Sequence, residues 1–143
     1  MTSKKKFIVV GFIVIIAAAA AYGYKEYNRK PADLSNADAV AKLSAANLIN
    51  EFDENEAGAN KKYLGKVIEV TGPITEIENQ HDTLINISLG ANDDLHKVSC
   101  QIDPRHFSEA KHFDSGSVIT LKGSCTGFLM DVELSRCVIS KDQ

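Results

Sequence analysis

Four histidines, three cysteines and a scatter of serines and carboxylates are the groups in this 143-residue chain that could bind a metal or do acid–base or nucleophilic chemistry. His96, Cys100, His106 and His112 follow one another at intervals of four, six and six residues, with His81 upstream. A structural zinc site needs close pairs of Cys or His, and a zinc protease needs two histidines one helical turn apart beside a glutamate. Neither spacing occurs, so these histidines are expected at the surface and core edge, and no metal is expected. The GxSxG nucleophile turn, the GxxxxGK[ST] phosphate loop and the GxGxxG dinucleotide turn are also absent. No Ser/His/Asp or paired-carboxylate arrangement follows from spacing alone. The chain therefore reads as non-enzymatic and without a cofactor.

The cysteines raise a different chemistry. Cys100, Cys125 and Cys137 can form one disulfide, leaving one thiol over, only if the chain reaches an oxidising compartment. The N-terminus supplies a route. Residues 7–24, FIVVGFIVIIAAAAAYGY, are 18 residues without a charge, and a helix of that length rises about 27 Å, just enough to span a bilayer. Lys4, Lys5 and Lys6 precede it, so residues 1–6 read as a basic cytoplasmic segment and the rest of the chain as external. Tyr22, Tyr24 and Tyr27 beside Lys25 and Arg29 form the flank of an uncleaved single-pass anchor. The basic start, apolar run and alanines 17–21 fit a cleavable signal peptide as well, which would leave a secreted or periplasmic domain. Both readings deliver the same domain to the same side. With no cysteine before Cys100, lipid attachment at an N-terminal cysteine is excluded.

Residues 31–143 suffice for one domain and leave no room for a second. Six of the 16 Lys/Arg lie at or before Lys30 but only one of the 19 acids does, so this part has ten basic and 18 acidic residues, a formal charge of −8. Such acidity disfavours a groove that must neutralise phosphates and favours a basic or neutral partner.

The elements that would position these groups follow from hydrophobic period. Residues 25–43 are polar and alanine-rich and read as a tether. Ser44 is expected to cap a helix carrying Ala45, Leu48, Ile49, Phe52, Ala59 and Tyr63 on one face, running to about Lys62 and ending at Gly65. From Lys66 the period becomes two. A long strand through Val67, Ile68, Val70, Ile74 and Ile77, bent at Gly72 and Pro73, is followed by strands at 83–89 and 97–102 across a turn at 78–82 and a loop at 90–96. A short helix within 104–113 and strands at 117–125 and 130–139 complete the domain. The order predicts a mainly β, five-stranded oligonucleotide/oligosaccharide-binding (OB) barrel, with a helix packed ahead of it and a short helix between strands three and four. The domain proper spans residues 44–143.

In such a barrel the fifth strand lies between the third and the fourth, so Cys137 can neighbour Cys100 or Cys125. A tight hairpin near residues 126–129 would set Cys137 opposite Val118, outside the roughly 7 Å Cα reach of Cys125. Cys100 with Cys137 is then favoured and Cys125 is the alternative partner. A bulge near Ser135 would change both distances, and three reduced, buried thiols remain open.

The stretches NEAGANKKYLGKVIEVTG (residues 55–72) and LKGSCTGFLMDVELSRCVI (121–139) resemble the tRNA_anti-like family of bacterial membrane-anchored and lipoprotein OB-fold proteins. The resemblance covers about residues 43–140 and includes Phe52, Tyr63, Gly65, Gly72, Cys100, Gly123, Cys125, Gly127 and Cys137. It implies an OB fold in the bacterial envelope; the family label refers to an anticodon-binding domain and implies no RNA binding by itself. Asn55, Glu56, Lys62, Tyr63 and Lys66 are the densest polar cluster that it singles out. Glu56, Lys62, Tyr63 and Lys66, with Phe128 on a plausible face, are therefore candidate ligand-binding residues. The alternative is structural, with Tyr63 plugging the barrel end and the charges capping or pairing around it. A single-strand-binding face needs stacking aromatics in a basic groove, but the chain has no Trp and places only Phe128 and Phe107 near such a face. The expected function is a binding or scaffolding module held to the membrane by residues 7–24, with an envelope protein or polymer as ligand. Single-stranded, tRNA-like nucleic acid is the alternative.

Overall fold

The computed structural model describes residues 3–80, 83–91 and 95–141, with side chains from residue 7 onward. His81 and Asp82, at the end of the turn expected at 78–82, lie outside the described residues, as do residues 92–94 of the loop expected at 90–96. The chain forms two units, Met1–Ala32 and Asp33–Gln143. The first is one helix, α1 (Ser3–Tyr27), whose segment Phe7–Tyr27 is long and apolar enough to cross a membrane. Its apolar side chains point outward all round and none of that segment is buried, an arrangement that lipid satisfies and water does not.

The second unit is the expected barrel with one strand added. After β1 (Ala41–Ser44) come two helices, α2 (Ala45–Glu54) and α3 (Glu56–Tyr63), then β2 (Val67–Gln80), β3 (Leu84–Leu89) and β4 (Val98–Ile102). A 3-10 turn (Pro104–His106) leads into α4 (Phe107–Ala110), and β5 (Val118–Phe128) and β6 (Val132–Ile139) end the fold. β2, β3 and β4 form an antiparallel meander; β6 enters parallel beside β4 and antiparallel beside β5, and β5 closes onto the first half of β2. One long strand serves both edges because β2 changes partner midway. Val67–Pro73 pairs with β5 and Ile74–Gln80 with β3, across a bulge between Ile74 and Glu76. Alternate residues of every strand then face one core, including Ile68, Val70, Ile87, Leu89, Cys100, Leu121, Leu134 and Cys137.

The helix expected as one piece over 44–62 is two. Ser44 caps α2 by accepting the Asn47 N–H at 3.2 Å, and Ala45, Leu48, Ile49 and Phe52 are its buried stripe, plugging one barrel end. Asn55 then leaves helical geometry at φ −157 and ψ 83, and its side chain accepts the Gly58 N–H at 2.9 Å to begin α3. An asparagine that can cap the next helix makes the break, and it turns Tyr63 back against Phe52, ring centroids 6.4 Å apart. Gly65, at φ +74, ends this region in a left-handed turn that disfavours a side chain.

The stretch expected as a tether, residues 25–43, is also divided. α1 runs through Tyr27, and from Asp33 the chain belongs to the barrel unit. Leu34 is buried, the Lys122 ammonium donates to the Ser35 and Ala37 carbonyls at 2.9 and 3.0 Å, and β1 pairs in parallel with β2. The polar, alanine-rich composition hid this strap because a single buried leucine and backbone pairing hold it, neither of which has a period.

Candidate functional site

The outer surface of β3, β4 and β6 is the open face that the barrel presents. A cleft of about 210 Å³ crosses it, lined by Asn86, Ser99, Gln101, Thr126, Glu133 and Ser135 along with Leu134. β2 continues this face with Glu76 and Glu78, set opposite Ser88 and Asn86. Amides, hydroxyls and carboxylates dominate here, and among the described residues no basic or aromatic side chain lines the cleft. Phe107 is half-buried against the core. Phe128 stacks on Phe52 at 5.6 Å, with the His96 ring edge-on at 5.2 Å. The Phe128 ring therefore does not stand free for a base to stack on. Beyond Phe128, Leu129 and Met130 are exposed at the tip of the β5–β6 hairpin.

The structure brings Lys62 and Tyr63 together and adds a group that sequence reasoning missed. Glu51 Oε2 accepts from Lys62 Nζ at 2.8 Å and from the Tyr63 hydroxyl at 3.0 Å. The Lys62 ammonium holds the Glu51 carboxyl below its ordinary value, and that carboxylate in turn raises Lys62. Burial, then Glu51, pushes the Tyr63 hydroxyl up. Glu51 lies on α2 and its partners on α3, so the trio latches the two plug helices together, and only the folded hairpin reveals it. Lys66 reaches the Lys61 carbonyl at 3.4 Å, and Glu56 is exposed in the first turn of α3. The five candidates do not converge on one pocket; Phe128 packs beneath α2, and Tyr63 alone of the five borders a shallow groove between β1 and α2.

Cys100, Cys125 and Cys137 are all buried and present as thiols. The expected hairpin register does not hold, because the turn between β5 and β6 falls at residues 129–131, with Phe128 facing Val132, instead of at 126–129; a bulge in β6 between Ser135 and Val138 is offset by one in β5 between Cys125 and Gly127. Arg136, at φ 54, is the one non-glycine residue with positive φ among the described residues. This later turn sets Cys137 near Gly123 instead of Val118, and pairing with β4 sets it beside Ile102. Burial, then the neighbouring Cys100 thiol, drives the Cys137 thiol well above the ordinary value. Burial raises Cys125 as well.

The histidines are dispersed, and among the described residues no group of three His, Cys, Asp or Glu is placed to hold a metal. His96 bonds the Met130 carbonyl and faces Asp53 at 3.7 Å. His106 forms a contact that spacing could not show: Nε2 lies 3.2 Å from Ser35 Oγ and 3.2 Å from Asp33 Oδ2, while Nδ1 stands 3.9 Å from Glu109. This trio is not a nucleophile. Ser35 already donates its proton to Asp33 at 2.5 Å, so Nε2 faces only acceptors and must itself donate. The Ser35 hydroxyl and amide, with His106, hold the Asp33 carboxyl far below its usual range. The trio fastens the strap over a mixed-charge cleft of about 580 Å³ in which Lys42 pairs with the buried Glu69 at 3.3 Å.

No curated protein matches the chain. Among solved structures, a lipoprotein from Klebsiella pneumoniae subsp. pneumoniae called nucleic acid-binding is similar, with a TM-score of 0.61 and 20% identity, covering 78% of this chain and 100% of that one. At that identity the likeness is one of fold. The tRNA_anti-like profile matches residues 1–139, nearly the whole length, and the chain belongs to the tRNA_anti-like family.

Proposed function

We propose that this protein is a membrane-tethered, extracytoplasmic OB module, without catalytic activity, that binds or scaffolds a neutral or basic envelope protein or cell-envelope polymer on its open face. The cleft lining carries this reading. Asn86, Ser99, Gln101, Thr126 and Ser135 offer hydrogen bonds to a neutral chain and Glu133 to a cation, whereas a phosphate backbone would meet carboxylates without a basic groove. The net charge of −8 over residues 31–143 supports the same partner chemistry. α1 supplies the tether.

A photo-cross-linking residue at Gln101 in the full chain, irradiated in intact cells, is expected to capture an envelope component. A control at Lys61 captures less of it, and Asn86→Ala weakens the capture. Equal capture from both positions would sink the open-face reading. The description of the Klebsiella structure supports a second reading, nucleic-acid binding. Fluorescence anisotropy of the detergent-solubilised chain with single-stranded oligonucleotides decides between them. Tight, salt-sensitive binding would replace the first reading with the second.

A further inference from the structure

We propose that the outer edge of β1 is a second binding surface, which takes up an extended segment of a partner protein as an added strand and holds a lysine or arginine of that segment against α2. β1 is where the sheet ends. The strands from β2 to β6 close into a barrel, whereas among the described residues Ala41–Ser44 pairs only with β2. Alternate backbone N–H and C=O groups of β1 therefore point away from the sheet, the template that strand addition uses. A groove of about 390 Å³ runs along this edge, with β1 on one side and Asn47, Asn50, Glu51 and Glu54 of α2 on the other. Asn47 and Glu54 stand two helical turns apart, about 10 Å, and the four residues of β1 cover about 13 Å. The groove thus matches a short extended stretch of chain, alternate side chains of which reach the α2 side.

Charge selects the partner. Glu51 is answered by Lys62 at 2.8 Å and Lys42 by Glu69 at 3.3 Å. Glu54 has no counter-ion among the described residues, and the Asn47 and Asn50 side chains have no hydrogen bond there. Glu54 closes α2, whose last turn carries no basic residue, so the negative end of the helix dipole adds to its charge. A cation entering the groove satisfies both, whereas an acidic segment is repelled. The groove shares no residue with the open-face cleft, so the inference stands whether or not that face binds.

Selection of phage-displayed peptides on the detergent-solubilised full chain, with counter-selection on Glu54→Lys, tests this. A cation is favourable at a helix C-terminus, so Glu54→Lys should keep the wild-type circular dichroism and Tm. The expected peptides lack proline in the bound stretch and carry Lys or Arg at a fixed position. Made synthetically, the best of them should bind Glu54→Lys roughly tenfold more weakly in fluorescence anisotropy, the loss of one charge-assisted contact. Methylating its backbone nitrogens one at a time should abolish binding to the wild type at every second residue and spare those between, because only alternate N–H groups of an added strand face β1. This scan needs the wild type alone and decides even where Glu54→Lys folds poorly. Failure to select a peptide, equal binding to two folded proteins, or a methylation profile without alternation overturns the proposal. So does a dimer, seen in sedimentation, that protects the Ala41–Ser44 amides from exchange, since the occupant is then a second copy.

Discussion

Adding one methyl group at Gly123 tests the close approach of β5 and β6 around the cysteines. A Cβ built at this position lies 2.5 Å from Cys137 Sγ, 3.2 Å from the Ser135 carbonyl oxygen and 3.3 Å from Leu134 Cβ. Two of these atoms belong to fully packed core side chains and the third to backbone, so none can swing into solvent. Overpacking of this kind costs about 1–3 kcal/mol, whereas the lower chain entropy of Ala in the unfolded state returns about 0.4–1 kcal/mol. The steric cost wins. Gly123→Ala should lose about 1–2 kcal/mol, a fall in Tm of roughly 5–10 °C at about 5 °C per kcal/mol for a domain this size. Thermal unfolding of the solubilised chain, followed by near-UV circular dichroism with reductant present, reads the shift without any contribution from a disulfide. Removing the sulfur should recover part of the loss: in Gly123→Ala/Cys137→Ala the two effects should fall short of their sum by about 1 kcal/mol. A Gly123→Ala protein as stable as the wild type, or strictly additive losses, would refute the reasoning.

Leu34→Ala should destabilise the barrel unit by about 2–4 kcal/mol in denaturant titration, since Leu34 is buried where a tether residue would be free. Asn55→Ala should cost about 1 kcal/mol through the lost cap of α3, with faster amide exchange across Glu56–Tyr63 as its signature. Stability should also fall with acid at Asp103, whose carboxyl is held below its ordinary value by the Arg105 guanidinium and amide. A depressed folded value means that this contribution is complete above the unfolded value near pH 4 and is lost as pH drops through the folded one. Urea unfolding from pH 6 to pH 3 should therefore steepen in the wild type relative to Asp103→Asn.

Much of the fold was legible because its signals are local. Alternation marks β2 through β6, the four-residue apolar stripe marks α2, and the charge-free run marks α1, since each period records which side meets water or lipid. Gly72 beside Pro73 marked the place where β2 changes partner, and that glycine admits the Ala45 side chain, which an added Cβ would meet at 2.8 Å. The strap was not legible. Its clamps, Lys122 on the Ser35 and Ala37 carbonyls and His106 on Asp33, span more than 70 residues and leave no local period. The Glu51 latch was missed for a similar reason: a bend at Asn55, invisible to a helical count, brings Lys62 and Tyr63 back upon it.

The sequence by itself determined that an apolar, charge-free helix precedes one acidic β domain, because hydropathy and charge act residue by residue and need no partner. Only the tertiary structure decided what that helix leads into and which groups meet. A turn placed at residues 129–131 shifts Cys137 from Val118 to the neighbourhood of Gly123, and barrel closure turns Phe128 under the plug instead of leaving it free. Register and closure are set by the summed packing of all the strands, and a turn that falls a few residues later changes the register without altering the alternation on either side of it.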